Sequence, residues 1–363
     1  MKNIKLFFGI ACLVFLFFPF LNVQAAESSL EISGWVPYWR AATGTAEVIK
    51  HIDSLDEVNL FAYSVKKDGS LFDNNMNVGK NPWLNLIKTA KKNDVKIIPS
   101  IMWNDGDAIH STLSDSKLRT KNIKAILKMV KENKFDGVDI DYENKKAETN
   151  KFFSEFLKEL SSALGSKILS CTIESRTPPD SLYSVIPDNI EYANDYDAIN
   201  KYCDEVKIMT YDQGRADIKL NVEANGPYIP IADVNWVEKV VKLAEEKISK
   251  GKISIGVATY GYEYTLTKNS NGSYNYNKIS NFNPRYATDI AKQFNITPIR
   301  NNAGELSFAY ISTSTPSAVS LLWWSDAAAI KEKIDLAKKL GVKGVAVFKI
   351  DGGADSKLWD ILK

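Results

Sequence analysis

Histidine is scarce: the 363-residue chain holds only His51 and His110. A Ser-His-Asp hydrolase or a multi-histidine zinc site would have to use one or both. Neither sits in a pattern such as H-E-x-x-H. With His51 expected in a helix and His110 in a loop, both read as structural or exposed, and no metal site is expected. Cysteine is scarce too. Cys12 falls in an apolar N-terminal run, which leaves Cys171 and Cys203. One pair is too little for a disulfide framework, and the two read equally well as a single bridge or as separate buried thiols.

Charge of one sign is also missing. The chain has 46 basic and 44 acidic residues. No basic cluster with interleaved aromatics occurs, so no nucleic acid partner is expected. Apart from Leu6 to Leu21 there is no long apolar run. That run follows Lys2 and Lys5 and precedes Val23-Gln24-Ala25, with Ala26 next. A basic start, an apolar middle and small residues at the cut make residues 1–25 a secretory signal peptide, cleaved near Ala25. The run is short for a membrane span and no basic stop-transfer cluster follows. The mature chain is therefore expected to be exported and near zero net charge, with no membrane attachment and as a monomer. Glycine-rich phosphate-binding turns are absent after the first strand, which argues against an open doubly wound sheet.

What is present is a regular alternation. Apolar, β-branched runs predict eight strands: Ile32–Val36, Glu57–Tyr63, Lys96–Ile101, Gly137–Tyr142, Lys167–Ile173, Glu205–Tyr211, Lys252–Tyr260 and Gly344–Ile350. Amphipathic stretches lie between them, most clearly at 82–93, 121–134, 150–165, 234–249 and 326–341. The alternation predicts an α/β fold, a (β/α)8 TIM barrel over residues 31–363. One connection is too long. Residues 265–322 turn polar and Tyr/Asn-rich but keep apolar residues of their own. They read as a small α+β insertion between strand 7 and helix 7.

The densest chemistry lies in "KFDGVDIDYE", residues 134–143. Side chains two apart on a strand share a face. Asp139, Asp141 and Glu143 therefore project together, while Val138, Ile140 and Tyr142 face the other way. In a barrel the apolar set suits the helix side, which sends the carboxylates inward with Glu143 at the C-terminal rim. Crowded carboxylates raise at least one pKa by desolvation and repulsion. A carboxyl kept protonated near neutrality is what a general acid requires. A calcium loop would want a mid-loop glycine and spaced oxygen ligands; the apolar alternation through Ile140 argues against it.

"DGVDIDYE" resembles the D-G-x-D-x-D-x-E signature of glycoside hydrolase family 18, the chitinase-like family. "KIMTYD" (207–212) looks like its M-x-Y-D, and "GVATYGY" (256–262) like its strand-seven Y-G. "WWSDAAAIKEKIDLAKKLGVKGVAVF" resembles its approach to strand eight. "CDEVKIMTYDQG" and "GPYIPIADVNWVEKVV" look most like bacterial exported members, including those linked to spore walls. The resemblance spans residues 31 to 361. It implies substrate-assisted, retaining hydrolysis of an N-acetylglucosamine-containing polysaccharide or oligosaccharide, with no cofactor. Glu143 would be acid and then base, Asp141 would orient the 2-acetamido group, and Asp139 would share a proton with Asp141. Tyr211 would bond the acetamido oxygen, Asp212 would contact the sugar or tune Glu143, and Met209 would line the pocket. Tyr260 belongs to the matching Y-G element. Asp136 would stabilise the start of the motif and Ser100 would support Asp139.

The chain departs from the family at several walls. Phe348 stands where a Trp usually floors the sugar site, and Tyr262 replaces an arginine that often follows Y-G. Only Ser100 of the S-x-G-G element carries over, in Ser100-Ile101-Met102-Trp103. Trp35, Tyr38, Trp39 and Trp103 are expected at or near the rim, where aromatic faces suit pyranose rings. A catalytically dead lectin on the same barrel is the competing reading. It is disfavoured because no acid of the motif is missing.

Overall fold

The structure, a computed structural model, describes residues 30–362 apart from 75–76, 225 and 312–317. The expected signal peptide, residues 1–25, lies outside the described residues, as do 312–317 within the expected insertion. Eight parallel strands close a barrel: β1 (Glu31–Pro37), β2 (Glu57–Val65), β3 (Ser100–Trp103), β4 (Gly137–Tyr142), β5 (Ile168–Glu174), β6 (Glu205–Met209), β7 (Ile253–Ala258) and β8 (Gly344–Phe348). Each pairs in parallel with the next, and β8 pairs with β1 to complete the ring. The main helices between them are α1 (Ala41–Lys50), α2 (Trp83–Lys92), α3 (Ser116–Asn133), α4 (Asn150–Leu164), α5 (Tyr196–Tyr202), α6 (Val234–Glu245), α7 (Ala327–Leu340) and α8 (Leu358–Ile361).

Local chemistry explains the boundaries. Pro99 has no N–H to give a ladder, and the expected strand 96–101 splits into the short pair Lys96–Ile97 and β3. Asp115 accepts from the backbone of Lys117 and Leu118, so α3 starts earlier than apolar spacing predicts. Asp105 caps a further helix, Gly106–Ser114, by accepting from Ala108. That helix holds His110, which was expected in a loop. His51, expected in a helix, instead follows α1 and stacks flat on Trp359. Gly137 opens β4 because a Cβ there would lie 2.2 Å from the Ile168 carbonyl oxygen.

The barrel wall is apolar outside and polar inside. Tyr142 packs on Phe153 and Phe156 of α4 and donates to Asn122 of α3. Burying such rings is worth about 1.5–3 kcal/mol each. Inside, Glu57, Asn59, Ser100, Asp139, Asp141, Ser170, Thr172 and Lys207 are all buried. Cys171 of β5 and Cys203, just after α5, are joined in a disulfide.

Between β7 and α7 lies a second, antiparallel sheet of five strands, in the order 274–282, 261–268, 319–324, 306–311, 299–300. Helix Pro284–Gln293 covers one face through Ala287 and Ala291, against Phe282, Phe308 and Trp324. The other face packs Tyr262, Tyr264, Leu321 and Trp323 against Tyr228, Ile229 and Ile231 of the loop after β6. Glu305 fastens the two bodies. It is buried and accepts from Ile231 N, Ala232 N, Trp323 Nε1 and Ser325 Oγ at 2.7–3.1 Å.

Candidate active site

β4 sets the frame. Its register against β3 pairs Ser100 with Asp139, Ile101 with Ile140, Met102 with Asp141 and Trp103 with Tyr142. Asp139 and Asp141 are buried inside the barrel. Glu143 follows at the rim, half-buried, and its N–H donates to Trp103 O at 2.7 Å. Asp139 is deepest and fully served by donors. Ser100 Oγ reaches one oxygen at 2.5 Å and Ser170 Oγ the other at 2.9 Å. Thr172 Oγ1 bridges both, and Trp35 Nε1 approaches at 3.4 Å. Trp35 Nε1 also donates to Ser100 Oγ at 2.9 Å.

Asp141 is less well supplied. One of its carboxylate oxygens is buried without a hydrogen-bond partner among the described residues. Burial, with the charges of Glu143, Asp139 and Glu174 adding to it, pushes its carboxyl far above the usual range. Glu143 is pushed up as well, mainly by burial and then by Glu174; the Lys145 ammonium opposes this. Tyr211 stays a neutral hydroxyl, since burial and the surrounding Asp141, Asp212 and Glu143 all oppose its ionisation. The arrangement thus offers a carboxyl that holds a proton, a second carboxyl that shares it, and a phenol donor beside them.

Two charged residues here escaped the sequence reading. Glu174 ends β5 and accepts from Asn144 N at 2.8 Å and Asn194 Nδ2 at 3.0 Å. Lys145 is buried beside it, 3.5 Å from the Glu174 carboxylate, donates to Tyr142 O, and lies over the Phe153 ring. Despite its burial the Glu174 carboxyl is held below the usual value, by Lys145 first among its partners. The signal for Glu174 was present but faint: Ser170, Thr172 and Glu174 alternate on β5 as the acids do on β4.

The other expected residues divide. Tyr260 and Tyr262 hydroxyls both donate to one Asp212 oxygen, at 2.8 and 2.7 Å. Asp212 sits at φ +56°, a left-handed conformation that non-glycine residues seldom adopt. Phe348 is half-buried among Trp35, Phe61, Tyr211 and Tyr260, and stacks on Tyr211 at 5.6 Å. Met209 ends β6 in register with Glu174. Met102, unexpected, stands in register with Asp141. Asp136 lies at the far end of β4 and accepts from Ile97 N at 2.9 Å.

Two aromatic expectations need correction. Trp103 is 4% exposed and packs edge-on against Tyr142. Its register partner faces the helices, so strand parity turns Trp103 away from the barrel interior. Trp35 points inward but is 1% exposed, covered at the level of Asp139. Neither offers a face to a sugar. Tyr38 and Trp39, at 38% and 49% exposed, do. Trp39 lines a cleft of about 210 Å³ with Arg40, Tyr260, Asn283, Lys349 and Asp351.

At the opposite end of the barrel Glu31, Glu57 and Glu205 bring carboxylate oxygens within 4.8 Å of one another. Lysines already answer these charges: Lys207 sits 2.8 Å from Glu57, Lys343 2.6 Å from Glu31 and Lys96 3.3 Å from Glu31. The set is an ion-pair network and does not fit a cation.

The sequence profile of the family described as "Glycosyl hydrolases family 18" matches residues 33–353. An uncharacterized glycosylase of Bacillus subtilis, YvbX, is 22% identical over 321 residues, 86% of this chain and 87% of that protein. The cortical fragment-lytic enzyme of Bacillus cereus is 25% identical over 304 residues; these are 80% of this chain but 63% of that longer protein. In fold, the spore cortex-lytic enzyme SleL of Bacillus cereus superposes with a TM-score of 0.73 at 21% identity, over 92% of this chain and 73% of that one. A chitinase of Chromobacterium violaceum gives 0.74 at 18% identity, over 92% and 98%.

Proposed function

Because the chain belongs to glycosyl hydrolase family 18 and is a glycoside hydrolase with a carbohydrate substrate, we propose that it is exported and cleaves β-1,4 linkages beside N-acetylglucosamine, with retention, in chitin, chito-oligosaccharides or peptidoglycan. The observation that carries this reading is the inward column Asp139, Asp141, Glu143, with its two outer carboxyls pushed upward and one Asp141 oxygen unpartnered.

In the proposed reaction Glu143 gives its proton to the leaving glycosidic oxygen as the bond to the anomeric carbon breaks. The substrate's own 2-acetamido oxygen forms the new bond to that carbon, giving an oxazolinium ion. Asp141, its proton passed to Asp139, turns to the acetamido N–H and offsets the positive charge that develops there, while Asp139 stays anchored by its four side-chain partners. Tyr211 donates to the acetamido oxygen. Water then attacks the anomeric carbon, losing its proton to Glu143, and the acetamido group leaves as it was. Asp212, held by Tyr260 and Tyr262, borders the same space. Action as a monomer at the envelope, with neither nucleic acid nor membrane as partner, belongs to the same reading. The N-terminal sequence and the cortex-lytic relatives support the location, and among the described residues no helix is long and apolar enough to cross a membrane.

Glu143→Gln keeps the shape and removes the acid. Incubated with chito-oligosaccharides and with peptidoglycan, the variant should lose roughly 10²–10⁴-fold in turnover while oligosaccharide affinity, read by calorimetry, is retained. Unchanged turnover would remove Glu143 from its role. A wild-type protein that binds these glycans but cuts none would be a lectin.

A further inference from the structure

A second cleft, of about 430 Å³, lies where the loop after β6 meets the tip of the insertion hairpin. Arg215, Asn221 and Tyr228 line one side, and Lys268, Tyr274 and Tyr276 the other. Among the described residues, none that lines it is acidic. Arg215 and Lys268 are both exposed, and neither makes an ion pair among the described residues. Arg119 and Arg300, by contrast, are each held by carboxylates. Lys268 lies against the Tyr274 ring, 5.9 Å from its centre. The walls are well made: Tyr276 OH accepts from Tyr228 N at 2.7 Å, and Tyr228 OH donates to Asp233 at 2.8 Å.

Position ties this cleft to the carboxylate column. Arg215 is three residues beyond Asp212 in the same loop, which Gln213 N and Gly214 N pin to Ile231 O and Pro230 O. From Asp212 a file of rings leads outward. Tyr262 bonds Asp212 and lies 6.1 Å from Tyr264; Tyr264 is 6.1 Å from Tyr276; Tyr276 is 6.5 Å from Tyr274. A third cation without an ion pair, Lys278, sits over the Tyr262 ring at 3.4 Å. One wall of the mouth therefore carries Lys278, Lys268 and Arg215, while the floor of the mouth is acidic. A neutral polymer needs no such row, whereas an anionic one is drawn to it.

We infer that the cleft between Arg215 and Lys268 is a subsite for a carboxylate carried by the glycan a short distance from the bond that is cut. The chemistry fits a carboxylated N-acetylhexosamine polymer, the carboxylate being a lactyl ether on the sugar or the acid groups of an attached peptide. The inference rests on the glycosidase reading and narrows its substrate class from neutral to acidic glycans.

The test uses Glu143→Gln as an inert binder, with and without Arg215→Gln and Lys268→Gln. Three probes are titrated: a neutral N-acetylglucosamine tetramer, an alternating N-acetylglucosamine and N-acetylmuramic acid tetramer, and the latter bearing its peptides. Removing both cations should weaken acidic glycans about tenfold and leave the neutral tetramer within twofold. The acidic preference should shrink at high salt. Preference for the peptide-free acidic tetramer assigns the lactyl group; preference only for the peptide-bearing one assigns the peptide. An equal effect on all three probes, no effect on any, or no binding of the acidic glycans overturns the subsite. Wild-type turnover of the same probes is scored separately. Hydrolysis without acidic preference sinks the subsite alone; acidic preference without hydrolysis sinks the glycosidase reading alone.

Discussion

Glu174 reaches the rim from the strand next to β4 and holds Glu143 in a balance. Its charge pushes the Glu143 carboxyl up, and the Lys145 ammonium pushes it down. An acid with a raised pKa keeps its proton to higher pH, so Glu174 should extend the alkaline limb of the rate profile. Glu174→Gln retains an acceptor for Asn144 N and removes the charge. The alkaline limb of kcat/KM should then move to lower pH, by about one unit or less for a charge partly exposed to water. A limb that stays in place would show that Glu174 acts only through the loop it anchors. The sequence made Asp139, Asp141 and Glu143 readable because three acids at spacing two, set between Val and Ile, fit one face of one strand. Glu174 is a single acid at a strand end, so its alternation with Ser170 and Thr172 is only a faint signal, and Lys145 folds back from a loop where no spacing betrays it. For Trp35 and Trp103 proximity to a rim says nothing about depth or parity: register with Tyr142 sets the parity of Trp103, and bonding to Ser100 and Asp139 sets the depth of Trp35.

At the scale of elements, the strands were legible wherever β-branched runs are bounded by polar residues. β4 was found to the residue, and β3 was displaced only where Pro99 interrupts it. Helix starts were less legible, because Asp105 and Asp115 act through backbone contacts that apolar spacing does not report. The cysteines could not be paired from sequence, since two thiols in a chain of this length need not meet. The fold brings Cys171 on β5 to Cys203 after α5, closing a loop of 32 residues in sequence separation with Cα atoms 6.1 Å apart. A loop of this size should be worth about 3–4 kcal/mol through the unfolded chain. The Cys171→Ala, Cys203→Ala double variant should therefore lose stability of that order in urea, with little change in turnover. A loss below about 1 kcal/mol would mean the bridge is dispensable.

For the whole molecule, the barrel's polar interior has a cost that varies with pH. Glu57 at the closed end is pushed up to about 8 by burial, against the pull of Lys207. A carboxyl raised in this way favours the fold fully below its unfolded value near 4.5, and the benefit drains away as pH climbs toward 8. Glu57→Gln deletes this dependence. Wild-type stability measured against the variant should fall between pH 4.5 and 8, with a slope of up to about 1.4 kcal/mol per pH unit; a flat difference would mean Glu57 is ionised throughout. The insertion adds a different property. Four donors from the barrel loop and the second sheet converge on Glu305, so the wall that carries Tyr262, Lys268 and Lys278 is bolted down. It stands as a fixed jaw, so the distance from that wall to the barrel loop is set by Glu305 and the fold itself.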